Sequence, residues 1–164
     1  RKMLKYVSYD IVFQEVPGEV TLALNLSGCP NRCQGCHSPH LREDAGRPLD
    51  RAEIDLLVER YGRQVTCLCF MGGDGDPAEV ARLARHVRRI SRLKTAWYSG
   101  RMPLPAGFDT AAMDYIKLGP YIPSRGGLDS PQTNQRMYRI VRDGNDTPAF
   151  EDITARFRRN PPGA

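Results

Sequence analysis

No stretch of this 164-residue chain approaches the roughly 18 consecutive apolar residues that cross a bilayer, and its first residues lack the apolar core of a secretory signal. The reading is of a chain without a membrane partner, expected in the cytoplasm, with Met3 as the expected initiator. Aromatic residues are scarce at 8%, with a single tryptophan, and few of them interleave with the arginines behind the net charge of +5. Base stacking needs aromatics beside the cations, so no nucleic-acid partner is expected. Cysteines number only five, and a reducing compartment keeps thiols free, which favours metal or redox chemistry over disulfides. No internal repeat or low-complexity tract stands out. The length supports one buried core and is short for two, so residues 1–164 read as a single domain.

The charge that is present is concentrated. "ARLARHVRRISR" carries Arg82, Arg85, Arg88, Arg89 and Arg92. A solvated helix face is the first reading of this run and docking to an acidic protein surface the second, with His86 read as a surface residue.

Strand and helix patterns alternate along the chain. "KYVSYDIVFQ" reads as a pairing segment, and "EVTLALNLSG" as a strand with Val20, Leu22, Leu24 and Leu26 on one face. In "LDRAEIDLLVERYG", Asp50 and Glu53 form a helix start, Ile54, Leu57, Val58 and Tyr61 repeat at helical spacing, and Gly62 marks the stop. "QVTCLCFMGG" is apolar on both faces and reads as a buried strand with Cys67 and Cys69 as small core residues. Asp76 and Pro77 then open a helix whose inward stripe is Val80, Leu83, Ala84, Val87 and Ile90. "LKTAWYSG", "DYIKLG" and "QRMYRIVRDG" read as further strands, and "PYIPSRGGLDSPQTN" as a long loop.

Strand, helix, strand, helix is the pattern of parallel βαβ units. A complete barrel of eight such units takes roughly 250 residues, so the expected class is α/β with a partial, open (βα) barrel. Ligands in such sheets bind beyond the carboxyl ends of the strands. The motifs "SGCPNRC" and "GGDGD" follow the first two strands and so share one rim.

Cys29, Cys33 and Cys36 have the form C-x3-C-x2-C. Three thiolates in a loop that Pro30 and Gly35 help to turn can converge on one small centre. A structural zinc site needs a fourth ligand, and His37 or His40 would complete a Cys3His set. A redox pair of Cys33 and Cys36 leaves Cys29 without a role. A [4Fe-4S] cube held by three thiolates instead leaves one iron open to a substrate or cofactor.

With these residues in view, the chain resembles a known superfamily. C-x3-C-x2-C in the loop after the first strand of a partial barrel is similar to the motif of the radical S-adenosylmethionine enzymes. "GCHSP", "GGD", "TNQRMYRI" and the small size narrow the resemblance, over about Met3 to Asp143, to the activating proteins of anaerobic ribonucleoside-triphosphate reductase. Ser38 stands where close relatives tend to have asparagine, and "GGDGDP" separates the acid from proline.

The resemblance implies a [4Fe-4S] cluster on Cys29, Cys33 and Cys36 and S-adenosyl-L-methionine chelated to its fourth iron. Cofactor contacts are implied at Gly35, Cys36, His37, Gly72, Gly73, Asp74, Ser99 and Lys117. The implied partners are the large subunit of the anaerobic reductase, on which a glycyl radical is generated, and a low-potential electron donor. A radical enzyme acting on a small molecule and a structural zinc-binding interaction module remain alternatives. Anaerobic reconstitution is expected to give a brown protein containing iron and sulfide, and Cys33→Ala is expected to lose the cluster. A colourless wild-type protein with stoichiometric zinc would support the zinc module instead.

Overall fold

Alternation and burial select the strands, and caps select the helices, in a computed structural model that describes residues 3–28, 45–142, 144 and 147–158. Strand β1 (Lys5–Val12) runs antiparallel to β2 (Thr21–Leu26), with Tyr6 opposite Leu26 and Val12 opposite Thr21. The two-residue β3 (Arg47–Pro48) pairs with the outer edge of β1 at Lys5 and Tyr6. Gly46 precedes it with φ near +102°, and a Cβ there would lie 2.3 Å from the Tyr6 carbonyl oxygen. Only glycine permits so close an approach of two backbones.

Helix α1 (Arg51–Tyr61) begins where the Asp50 side chain accepts the Glu53 N–H at 2.9 Å. After β4 (Cys67–Met71), Asp76 caps α2 (Pro77–Ile90) by accepting the Glu79 N–H at 3.2 Å, with Pro77 in the first turn. Such caps contribute about 1 kcal/mol each. Gly62 ends α1 in the right-handed region, so the stop needs no left-handed residue.

Strands β5 (Lys94–Tyr98) and β6 (Tyr115–Leu118) continue the parallel series, while β7 (Arg136–Val141) and β8 (Ala149–Asp152) return antiparallel. Among the described residues the sheet order is β3-β1-β2-β4-β5-β6-β7-β8, with β2, β4, β5 and β6 parallel. Helices α1 and α2 cross over in the same direction along the sheet, which puts them on one face. That face holds the larger core, in which Ile54 and Leu57 of α1 and Val80, Leu83 and Val87 of α2 meet Leu22, Leu24, Phe70, Trp97 and Ile116. Ile90 departs from the expected stripe and is 43% exposed, because the helix ends there beyond the edge of the core. The opposite face, helix-free in the sense that no α-helix of the described residues covers it, carries a second cluster of Val16, Cys67, Cys69, Ala96, Tyr115, Met137 and Ile153.

The arginine run is not simply solvated. Arg82 pairs with Glu79, Arg85 with Asp109 and Arg88 with Asp114, so three of the five cations tie α2 to its own first turn and to the segments before β6. The Asp109 carboxyl is held low by its hydrogen bond to Arg85. His86 bridges to Asp55 of α1 at 2.6 Å with its side chain largely covered, so it braces the two helices instead of standing free on the surface. Among the described residues no helix is long and apolar enough to cross a membrane.

At the amino ends of the parallel strands, buried Glu19 accepts hydrogen bonds from the Thr66 hydroxyl at 2.8 Å, the Tyr115 hydroxyl at 2.9 Å and the Lys94 ammonium at 3.2 Å. Burial, and then this bond to Glu19, push the Tyr115 phenol up. Removing the acceptor strands a buried phenol without its acceptor. Glu19→Ala is expected to lower unfolding stability by about 1–3 kcal/mol, read as a reduced urea midpoint at unchanged slope. Glu19→Gln, which keeps an acceptor, is expected to lose less.

Candidate functional site

Register places the carboxyl ends of the parallel strands side by side. Asn25, Met71 and Tyr98 pair in one row, and Lys117 of β6 stands opposite Tyr98. The segments that leave this row are Ser27–Gly28, Gly72–Asp74, Ser99–Arg101 and Gly119. Cys29 directly follows Gly28. Cys29, Cys33, Gly35, Cys36, His37 and His40 lie outside the described residues.

Both ends of the stretch that carries these cysteines reach the described fold at one place. The Ser27 N–H donates to the Lys5 carbonyl at 3.0 Å, and the Ser27 hydroxyl donates to the Ala45 carbonyl. Ser27 and Ala45 thereby fix the two stems against each other and against β1. Gly28 has φ near +70°, the left-handed region, as the chain leaves β2.

The glycines after β4 serve two different physical needs. Gly72 has φ near +106°, donates its N–H to the Tyr98 carbonyl at 2.9 Å and accepts from the Trp97 indole at 2.7 Å. Gly73 has φ near +89°, and a Cβ there would lie 2.6 Å from Val80 Cγ2 and 2.9 Å from Leu26 Cδ1. A side chain at position 73 would therefore drive into the core between β2 and α2. A small cavity of about 70 Å³ lies between Leu4, Lys5, Ser27, Gly28, Gly73 and Asp76. Pockets for drug-sized ligands span about 300–1,000 Å³, so this space alone does not house a nucleoside.

Asp74, Ser99 and Lys117 form a buried chain along the rim. Asp74 is 3% exposed, and its carboxylate accepts from the Ser99 hydroxyl at 2.6 Å and from the Gly100 N–H at 2.9 Å. The Lys117 ammonium donates to the Ser99 and Gly119 carbonyls, each at 3.0 Å, and lies 5.6 Å from the centre of the Tyr98 ring. Lys117 is thus a buried lysine and not a solvated one. Gln135, which follows the long loop, also donates to the Gly119 carbonyl, at 3.4 Å. Nothing local in the sequence marks Gln135 for this place; the signal was its position in "TNQRMYRI". The result is a polar seam across the ends of β4, β5 and β6 that sets the backbone of each exit loop.

Among the described residues no group of three or more His, Cys, Asp or Glu side chains could hold a metal ion. Cys67 and Cys69 are free and fully buried on the helix-free face, and burial pushes both thiols up, which keeps them protonated. The remaining cysteines, Cys29, Cys33 and Cys36, belong to the segment between Gly28 and Ala45, which lies outside the described residues.

A family model described as "4Fe-4S single cluster domain" matches residues 16–103, more than half of the chain. The chain belongs to this family of 4Fe-4S single cluster domains. Comparison with curated proteins and with solved structures returns no match.

The crowding at position 73 is open to a thermodynamic test. Gly73→Ala is expected to cost about 1–3 kcal/mol from overpacking and backbone strain. Val80→Ala removes the methyl group nearest the new Cβ, so the double variant is expected to be less destabilised than the sum of the two single ones, by denaturant titration.

Proposed function

We propose that this 4Fe-4S protein is a radical S-adenosylmethionine activating enzyme that generates a glycyl radical on an anaerobic ribonucleotide reductase. The observation that carries the reading is the span of the family match. Residues 16–103 include Cys29, Cys33 and Cys36 together with Gly72, Gly73, Asp74 and Ser99. Three cysteines leave a cubane one protein ligand short, and a family of single-cluster domains leaves no second cluster to claim them.

In this reading Cys29, Cys33 and Cys36 hold the cluster, and S-adenosyl-L-methionine fills the remaining position. When bound, the cluster would pass an electron from the low-potential donor to the sulfonium, whose C–S bond would break to leave methionine and a carbon radical able to take a hydrogen atom from a glycine of the reductase. The chain's own residues orient and shield. Gly35 and His37 flank the last thiolate. Gly72 offers backbone without a side chain at the rim, while the carboxylate of Asp74 holds the Ser99–Gly100 turn in place. Lys117 fixes the Ser99 and Gly119 carbonyls, so the acceptors around the cofactor do not have to reorganise as it binds. The four parallel strands are read as the wall of an open (βα) barrel, and the enzyme as a cytoplasmic one served by a low-potential electron donor.

Co-incubation with an anaerobic reductase, a reductant and S-adenosyl-L-methionine tests the proposal. Electron paramagnetic resonance is expected to show a glycyl radical on the reductase that is absent when S-adenosyl-L-methionine is omitted. Cofactor cleavage with no radical on the reductase would favour the small-molecule alternative and end the activase reading.

A further inference from the structure

Trp97 is the single tryptophan of the chain, and its polar edge is spent on the backbone of the rim. The ring is fully buried in the core on the side of the sheet that α1 and α2 cover, where Phe108 stacks on it with ring centres 4.7 Å apart. A buried indole N–H needs an acceptor, and here it donates to the Gly72 carbonyl at 2.7 Å. Tyr98, the next residue of β5, takes the other polar group of Gly72, whose N–H donates to the Tyr98 carbonyl at 2.9 Å. Ser99 and Gly100 then donate to the two carboxylate oxygens of Asp74. Four consecutive residues, Trp97 to Gly100, thus grip both ends of the turn Gly72–Asp74. The grip holds Gly72 at φ near +106°, a conformation that glycine adopts without strain.

Packing does not account for a glycine at position 72. A Cβ there would have Leu26 as its nearest neighbour at 3.6 Å, an ordinary contact, whereas one on Gly73 would meet Val80 at 2.6 Å. Gly72 is only half-buried, so its α-carbon has room beside it. What position 72 needs is its left-handed backbone, and the indole of Trp97 is the side chain that holds it. We infer that Trp97 is a positioning residue for S-adenosyl-L-methionine: its indole N–H, by fixing the Gly72 carbonyl, keeps the Gly72–Asp74 turn in one conformation before the cofactor arrives. The inference rests on the radical S-adenosylmethionine reading given above. Trp97 does not touch the cofactor and acts through Gly72. Without the indole N–H the turn has to be ordered at the moment of binding, and that ordering weakens affinity.

The test uses the full chain with its cluster reconstituted anaerobically, and equilibrium dialysis against radiolabelled S-adenosyl-L-methionine. Trp97→Phe keeps an aromatic ring against Phe108 and loses the donor. Because the chain has one tryptophan, benzothienylalanine, an isostere with sulfur in place of the N–H, can be incorporated at that position alone if Trp97→Phe folds poorly. Phe108→Leu is the control, since it removes the stacked ring and leaves the donor in place. Loss of the donor is expected to raise the dissociation constant about five- to tenfold, with iron and sulfide content unchanged. Phe108→Leu is expected to lower the urea midpoint and leave that constant as it is in the wild type. An unchanged constant in a folded chain without the indole N–H overturns the inference and leaves the radical S-adenosylmethionine reading standing. An equal loss of affinity in Phe108→Leu overturns it as well, because a general loosening of the core then explains the effect. Wild-type protein that holds its cluster and binds no S-adenosyl-L-methionine overturns the inference together with that reading.

Discussion

The rim depends on one buried carboxylate. Asp74 sits 3% exposed at the end of β4 and holds the Ser99 hydroxyl and the Gly100 N–H, which fixes the exit of the neighbouring strand. A charge taken out of water is tolerable only when hydrogen bonds replace its hydration, and here those bonds come from the loop that must be positioned. Lys117 extends the same logic to the next strand by donating to the carbonyls of Ser99 and Gly119. Three strand ends are thereby locked together by two ionisable side chains. The segment bearing Cys29, Cys33 and Cys36 springs from the same edge of the sheet, with Ser27 and Ala45 bonded at its base.

The two faces of the sheet have separate tasks. Helices α1 and α2, braced by His86 on Asp55 and by the pairing of Arg85 and Arg88 with Asp109 and Asp114, cover one face and supply most of the core. Among the described residues the other face carries no α-helix and is filled by the segment around Val16 and by the short 3-10 helix Thr154–Phe157. That division leaves a groove on the second face beside Tyr98, lined also by Leu128 and Phe157. Arg82, Arg85 and Arg88 are each paired with a carboxylate, so the run of arginines overstates how basic the surface of α2 is.

Much of this was legible in the sequence where the signal is local. Asp50 and Asp76 cap the helices at the expected positions, and the alternation in "TLALNL" and the continuous apolar run "CLCFM" mark β2 and β4 because burial period and strand period coincide. Strands β3 and β8 were not legible. The first has two residues and exists through its pairing with β1, and the second, exposed along its length, has no hydrophobic pattern to betray it. The burial of Lys117 was hidden for a different reason, since its partners are backbone carbonyls and leave no trace in residue identity. Gly73 illustrates a motif with a second cause. Its place in "GGD" suggested room for a cofactor, whereas Val80 and Leu26 already demand a glycine there. The cysteine trio itself was read from its spacing and lies within residues 16–103, the span matched by the 4Fe-4S single cluster domain family.

The account stands or falls on whether the cluster keeps a corner free for the cofactor. Electron–nuclear double resonance on the reduced protein, with S-adenosyl-L-methionine isotopically labelled at its carboxylate oxygen and amino nitrogen, reports that contact directly. Hyperfine coupling from both labels is the expected result. A cluster that shows neither coupling at saturating cofactor, with a protein side chain as its fourth ligand, would contradict it.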